Sequence, residues 1–476
     1  MHYFGTQFHY LASHQIFLTF AFNGGITKNT MNQNNKVLIK GGIVVTGKGY
    51  RHSDILIEGE RIATVGSGIS SDSVAEVIDA SKHYIFPGII DAHTHPYYMD
   101  DFETLASTAA YGGVTTLIHY AYAFPDMEAL EAAEQAIELG SRVSCLDFAL
   151  HLGMFTVEKQ YRQIPNVFKL GINSFKMFMT YAKLGRMTND YHLAAVMDLI
   201  AEQNGIAMVH AENGLVTDYL EDKFNTQGLS AIQSFARMRP DVLEAEAINR
   251  AISIAEVCGC RIYIPHVSAQ RALEPIERAR QRGQQVYAET CPQYLSLTED
   301  DLFRWGPLAK IGPPLRKRSD IDSLWSALKR RTVDVVASDH APKGQQPEED
   351  FFSAAYGSAQ TETLLILTYD GGVNKGRISL PRLVEVLCEN PAKIFGLYPQ
   401  KGALEPGSDA DLLIFDPSEK FVLKKENLHS AAGFTLYEGR ECLGRPTMSF
   451  QRGKPVLVNG ELAVQPGDGV FLPRSS

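Results

Sequence analysis

The sequence predicts an α/β protein: a (β/α)8 barrel with a smaller β-sandwich domain formed from both termini. Three observations lead there. Apolar strand-like runs alternate with amphipathic helical ones through the middle of the chain, which implies a parallel sheet. Eight strand candidates fall within roughly 300 residues, the number a closed barrel requires. At both ends the texture changes to short β-runs punctuated by glycine, so the two flanks resemble each other in kind.

Taken in order, residues 1–35 are expected to be a disordered N-terminal extension, because Met31 opens a polar "MNQNN" directly before the first strand-like run. "HQIFLTFAF" within it has no preceding Lys or Arg and no clear cleavage signal, so it is not read as a secretory address. Residues 36–88 ("KVLIKGGIVV", "SDILIEGERIATVG", "VIDASKHYIFPG") and 402–465 ("DADLLIFDP", "TMSFQRGKPVLVNGEL") supply the sandwich. Residues 89–401 supply the barrel, and 466–476 form a C-terminal tail.

The eight barrel candidates are "YIFPGIIDAHTHP", "VTTLIHYA", "SCLDFALHLG", "NSFKMFMTY", "IAMVHAEN", "RIYIPHVS", "QVYAETCPQ" and "VDVVASDHAP". Between them lie helical patterns such as "DMEALEAAEQAIELG", "DYHLAAVMDLIAEQNG" and "VLEAEAINRAISIAEVCG", each expected to stop at its glycine.

Composition narrows the function. With 476 residues, 45% hydrophobic and 21% charged, the chain can bury one large core and a smaller one. A net charge of -10 without a basic stripe argues against nucleic acid as a partner. No apolar run reaches the roughly 18 residues of a membrane helix. The six cysteines (145, 258, 260, 291, 388 and 442) lack a disulfide-framework spacing, which fits a reducing, cytoplasmic compartment. Cys258 and Cys260 end a helical pattern without a second ligand pair, so they read as inert thiols rather than a metal site.

Strand-end residues carry the chemistry. His93 and His95 are two apart on one strand, share a face and can converge on one ion. Lys176, His210, His266 and Asp339 fall near the ends of four further strand candidates. Imidazole and carboxylate ligands suit Zn2+, a set that Mn2+, Fe2+ and Co2+ also accept. His119, His151 and His340 read as packed neighbours, with His340 turned away from any ion on Asp339 by strand alternation. His52, His83, His192 and His429 fall outside the barrel mouth.

Lys176 stands in the apolar run "GINSFKMFMTY", and a buried lysine needs something that pairs with or consumes its charge. Beside metal ions, a lysine of lowered pKa can capture CO2 as a carbamate, an anionic two-oxygen bridge. Snorkelling or pairing with a carboxylate is the other reading.

Residues 36–465 carry "GIIDAHTHP", "SFKMFMTY", "VHAEN", "YIPHVS", "ETCPQYL", "GPPLR", "SDHAP", "NPAKIFGLYPQKG" and "GSDADLLIFDP" in that order. The chain thereby resembles the amidohydrolase superfamily, specifically its dihydropyrimidinase and hydantoinase branch. The resemblance implies a two-metal hydrolase, with zinc the expected metal, that opens cyclic amide rings. His93, His95 and Asp339 would hold one ion and His210 and His266 the other, with N6-carboxylated Lys176 as the bridge. Asp339 would move the proton, and Tyr181 would donate to the oxyanion. Gly312, where serine is usual, and Tyr356, where asparagine is usual, match the positions of substrate contacts. Two departures concern the substrate lid: the segment from His95 to Gly112 is several residues shorter than usual, and Gly185 replaces a bulky apolar residue. A homotetramer is the assembly the resemblance implies.

Rival readings are distinguishable. A dihydroorotase-like or allantoinase-like hydrolase shares these ligands, but "HTHPYY" lacks the arginine expected after the HxH for a carboxylate-bearing dihydroorotate. Non-enzymatic scaffold relatives have lost metal ligands that this chain keeps, and a mononuclear deaminase would not need Lys176.

Overall fold

The computed structural model describes residues 36–229 and 231–474, so the expected N-terminal extension lies outside the described residues. Five strands come first: Lys36–Thr46 (β1), Gly49–Glu58 (β2), Arg61–Gly66 (β3), Glu76–Asp79 (β4) and Tyr84–Pro87 (β5). Eight parallel strands follow: Ile89–Thr94 (β6), Val114–Ala123 (β7), Asp147–Met154 (β8), Ser174–Phe178 (β9), Ile206–His210 (β10), Arg261–Ile264 (β11), Val286–Thr290 (β12) and Val335–Val336 (β13). The chain then returns through Leu412–Val422 (β14), Glu441–Gln451 (β15), Lys454–Val458 (β16) and Glu461–Leu462 (β17).

Strands β6 to β13 lie side by side in sequence order. Their near-continuous apolar character is what a sheet covered on both faces demands. The last strand is only two residues long, yet the barrel closes: Thr94 bridges His340 in parallel, and the His95 N–H donates to the His340 carbonyl at 3.0 Å. Tyr120, Tyr263 and Phe395 fill the interior, so the barrel is a packed core rather than a pore.

The predicted first barrel strand divides. Tyr84–Pro87 pairs with β1 and β14 in the terminal sheet, and the barrel strand proper starts at Ile89. Gly88 is the crossing point, where a Cβ would lie 2.1 Å from the Thr115 hydroxyl.

The glycine stops are met unevenly. Asp241–Val257 ends before Gly259, which adopts φ +63°. Asp190–Glu202 ends with Asn204 in the left-handed conformation, one residue before the expected glycine. Ala129–Val143 runs through Gly140, contrary to expectation, because the bare Cα lets the Phe148 ring approach: a Cβ there would sit 2.5 Å from it.

The terminal strands form one continuous mixed sheet in the order β17-β16-β15-β14-β5-β1-β2-β3, with β4 also against β1. It curls so that its distant turns meet, and a Cβ on Gly453 would lie 2.2 Å from the Gly59 carbonyl. Ile39, Ile55 and Ile57 from the first part share a core with Leu412, Ile414 and Phe450 from the last. At the junction with the barrel, buried Lys401 reaches Asp147 (2.6 Å), Asp409 (3.0 Å) and Asp411 (2.8 Å), a carboxylate trio filled by the ammonium. The C-terminal segment lies against its own barrel, with the Leu472 N–H donating to the Phe148 carbonyl at 2.7 Å. Among the described residues no helix is long and apolar enough to cross a membrane.

Candidate metal centre

The C-terminal ends of the barrel strands bring together His93 on β6, His95 just beyond it, Lys176 on β9, His210 closing β10, His266 after β11 and Asp339 after β13. Strand alternation explains the first pair, and closure of the barrel explains the rest. The nitrogens of His93, His95 and the carboxylate of Asp339 all lie within 4.8 Å of one another. Asp339 Oδ1 is 3.1 Å from His93 Nε2 and 2.9 Å from His95 Nε2. The rings continue as a chain, His93 to His266 at 5.5 Å and His266 to His210 at 4.5 Å between centroids. Lys176 Nζ lies 3.5 Å from His266 Nε2, with the Tyr120 and Phe178 rings beside it.

Second contacts fix which nitrogen faces the centre. His93 Nδ1 is held by Glu289 at 2.7 Å, and His95 Nδ1 by the Tyr122 hydroxyl at 2.8 Å, which leaves both Nε2 atoms toward Asp339. His210 Nε2 is 2.8 Å from Glu212, which leaves its Nδ1. Three of the converging residues have left-handed backbones: Tyr181 (φ +64°), His266 (φ +44°) and Asp339 (φ +51°). Such conformations persist only where surrounding structure enforces them, and they gather at functional sites.

The electrostatics suit a cation. Burial pushes His95 down to about 3, and it also lowers His210 and His266, so these imidazoles are neutral donors. Burial acts downward on His93 too, but Glu289 and Asp339 outweigh it and hold the ring up to about 9. For Asp339 the balance reverses, with His93 and His95 holding the carboxyl well below its usual range against burial. The carboxylates that retain a proton on His93 would retain a divalent cation in its place. Lys176, only 2% exposed, is pushed down to about 8 by burial, partly offset by Asp339 and Glu289.

The expected substrate contacts also meet. A Cβ on Gly312 would lie 3.1 Å from Tyr356 Cδ1 and 3.3 Å from the Tyr181 hydroxyl. Tyr181 and Tyr356 sit edge to face at 6.1 Å, and Tyr181 is 5.3 Å from the His210 ring. Gly185 ends a short 3-10 turn, and a Cβ there would have no neighbour within 4 Å.

Four other histidines have partners of their own away from this cluster. His340 Nε2 is 2.8 Å from Asp100, and its Nδ1 accepts from the Gln360 and Thr361 N–H groups, so it anchors the loop after Asp339. His119 Nδ1 meets Thr94, His151 bonds Ser174 and the Ala92 carbonyl, and His429 stacks on Tyr111 outside the mouth. Cys258 and Cys260 join no metal-ligand cluster among the described residues.

Several groups went unread in the sequence. Glu289 also accepts from the Tyr263 hydroxyl (2.7 Å) and the His266 N–H (3.1 Å). Asp91 ties the first strand to the last by accepting from the Ser338 N–H at 3.0 Å and the Thr361 hydroxyl at 2.7 Å. Glu212 pairs with Arg239 at 2.7 Å, which outweighs burial and holds the carboxyl at about 2. The available signal was a carboxylate in a strand-end motif, in "AETCPQ", "IIDAH" and "VHAEN".

Comparison with known proteins agrees with this architecture. The model of the amidohydrolase family matches residues 84–456. The D-hydantoinase of Ralstonia pickettii is 36% identical over 457 residues, covering 92% of this chain and 98% of that protein. The L-hydantoinase of Paenarthrobacter aurescens is 34% identical over 451 residues, with coverages of 92% and 98%. The crystal structure of dihydropyrimidinase from Brevibacillus agri NCHU1002 superposes with a TM-score of 0.87 at 33% identity, covering 92% of this chain and 99% of that one. With its barrel, its curled terminal sheet and its strand-end histidines, the chain belongs to the amidohydrolase family, in the branch of the hydantoinases and dihydropyrimidinases.

Proposed function

We propose that this protein hydrolyses a ring amide bond of cyclic ureides or imides at a centre for two divalent metal ions. The observation that carries the reading is the convergence of four imidazoles, Asp339 and a buried lysine at one end of the barrel, with the Tyr181 ring 5.3 Å from His210. His93, His95 and Asp339 would hold one ion, and His210 and His266 the other. Zinc suits this donor set best. Lys176, buried and in ion-pair contact with no carboxylate among the described residues, would be carboxylated on Nζ and bridge the two. When bound, such a pair supplies a water acidic enough to act as hydroxide near neutrality and polarises the carbonyl under attack.

The chain's own groups do the rest. Asp339 accepts the proton of the attacking water and returns it to the leaving ring nitrogen. The Tyr181 hydroxyl donates a hydrogen bond to the oxygen on which negative charge develops. Backbone groups at Gly312 and Tyr356 orient the ring. Gly185, where even a Cβ would touch nothing within 4 Å, and the short loop after His95 leave little apolar bulk at the rim, so bulkier or polar 5-substituted rings fit better than unsubstituted dihydrouracil. Six unpaired cysteines support a reducing, cytoplasmic setting, and family likeness supports a homotetramer.

The test is metal content measured with a substrate panel: dihydrouracil, hydantoin, aryl-substituted hydantoins, allantoin and succinimide. About two divalent metals per chain and ring opening of substituted hydantoins are expected, with Lys176→Ala losing both. Full metal occupancy in that variant would remove the bridging role, and dihydrouracil as the best substrate would remove the proposed preference.

A further inference from the structure

We infer that Arg239 is a positioning residue for the reaction: its guanidinium, fixed by Glu212, holds the Tyr181 ring so that the hydroxyl meets the oxygen on which charge develops. The inference rests on the reading of Tyr181 as the donor to that oxygen.

Tyr181 needs such support. Its backbone is left-handed (φ +64°), and its hydroxyl makes no hydrogen bond to the protein among the described residues, so the donor is free for a substrate. The ring is held by contacts instead: His210 at 5.3 Å, Phe178 and Tyr356 at 6.1 Å each between centroids, and the Arg239 guanidinium carbon 5.9 Å from its centroid. Among these Arg239 alone is charged, and a desolvated guanidinium over an aromatic face is attracted to the ring quadrupole.

Arg239 is itself firmly placed. It is 4% exposed, and its Nη1 donates to Glu212 at 2.7 Å, on the same carboxylate oxygen, Oε2, that lies 2.8 Å from His210 Nε2. Burial acts against the guanidinium charge, and Glu212 outweighs it. The backbone is pinned as well, because the Arg239 carbonyl accepts from Arg316 Nη1 at 2.5 Å and Arg316 is paired with Glu244 at 2.9 Å. The guanidinium also lies 5.1 Å from the Tyr356 centroid. One planar cation thus spans the two rings beside Gly312, while the carboxylate that neutralises it also holds His210. A shift of Arg239 would move the oxyanion donor relative to a proposed metal ligand, and misplacing a reacting group by about 1 Å can cost about 10²-fold in rate. Lysine cannot fully replace it, because an ammonium is a point charge with no plane to lay on a ring.

The experiment is a double-mutant cycle on kcat for an aryl-substituted hydantoin, using the full-length, metal-loaded protein with metal content measured for every variant. Arg239→Gln keeps a donor toward Glu212 and removes the cation. It should lower kcat about ten- to a hundredfold with KM within about threefold of wild type, and Tyr181→Phe should lower kcat about 10²–10³-fold. Because Arg239 acts through the Tyr181 hydroxyl, the double variant should be no slower than Tyr181→Phe, whereas a merely structural loss would multiply. Metal content should stay at the wild-type level in Arg239→Gln, since Glu212 keeps its bond to His210. Arg239→Lys should recover part of the rate lost in Arg239→Gln. Multiplied losses, loss of metal in step with kcat, or an Arg239→Gln rate within about twofold of wild type overturns the inference while leaving ring hydrolysis intact. Should Arg239→Gln fail to fold, the same cycle with Arg239→Lys decides: a loss of about three- to tenfold that vanishes in the Tyr181→Phe background is expected, and a wild-type rate or a persisting loss overturns the inference. If Tyr181→Phe itself turns over at the wild-type rate, the oxyanion reading of Tyr181 falls and the inference falls with it.

Discussion

Replacing Glu289 with glutamine keeps the shape of a fully buried side chain and removes its charge. One carboxylate oxygen accepts from His93 Nδ1 at 2.7 Å and from the His266 N–H at 3.1 Å, and the other accepts from Tyr263 at 2.7 Å. In Glu289→Gln the amide oxygen can keep the first two contacts, while the amide nitrogen faces Tyr263, whose hydroxyl must turn from donor to acceptor. Charge-assisted bonds become neutral ones, about 1 kcal/mol weaker each, so roughly 2–3 kcal/mol is lost around two proposed ligands. The orientation and basicity of His93 suffer directly, and metal affinity should drop about 10–100-fold. The assay is metal bound per chain against graded chelator, with circular dichroism to verify that the fold survives. A chelator midpoint identical to wild type would refute the claim that Glu289 tunes the centre.

Asp339→Asn should keep at least one metal yet lower kcat by about 10²–10⁴-fold, the range of a positioned acid-base group; wild-type turnover would assign the proton transfer elsewhere. His340→Asn should instead lower stability by about 1–3 kcal/mol in urea unfolding, through its bonds to Asp100 and the 360 loop, while kcat changes far less. Lys401→Met removes the buried cation shared by three carboxylates, of which Asp147 keeps Arg452 and Asp409 keeps Arg61 while Asp411 is left without one, and should cost about 3–5 kcal/mol of stability, with the metal-chelator midpoint of the folded fraction unchanged. Carboxylation joins CO2 to the neutral amine with release of a proton, and Lys176 is held down to about 8, so reactivation of metal-stripped protein by zinc at a fixed concentration of dissolved CO2 should speed up as pH rises toward 8 and level off above it. A rate independent of pH between 6 and 8 would count against Lys176 as the CO2 acceptor.

Much of this protein was legible from local pattern. Strand periodicity puts His93 and His95 on one face whatever else the chain does, and alternation of strand and helix sends polar strand ends to one rim of a barrel. His340 was separated from Asp339 by the same alternation, and its bonds to Asp100 and the 360 loop bear that out. Helix ends were less legible, because Gly140 is set by the Phe148 ring against it rather than by a terminus.

The sequence by itself therefore determined the fold class, the candidate metal ligands and the family, all of which rest on short-range periodicity and ordered motifs. Only the tertiary structure decided what surrounds them. Glu289 meets His93 across 196 residues, Lys401 meets Asp147 across 254, and the Lys310 ammonium bonds carbonyls 42 and 44 residues on. Nothing in local spacing encodes such pairs. They exist because barrel closure removes water from particular polar atoms and leaves each to find its partner among whatever the fold brings within about 3 Å.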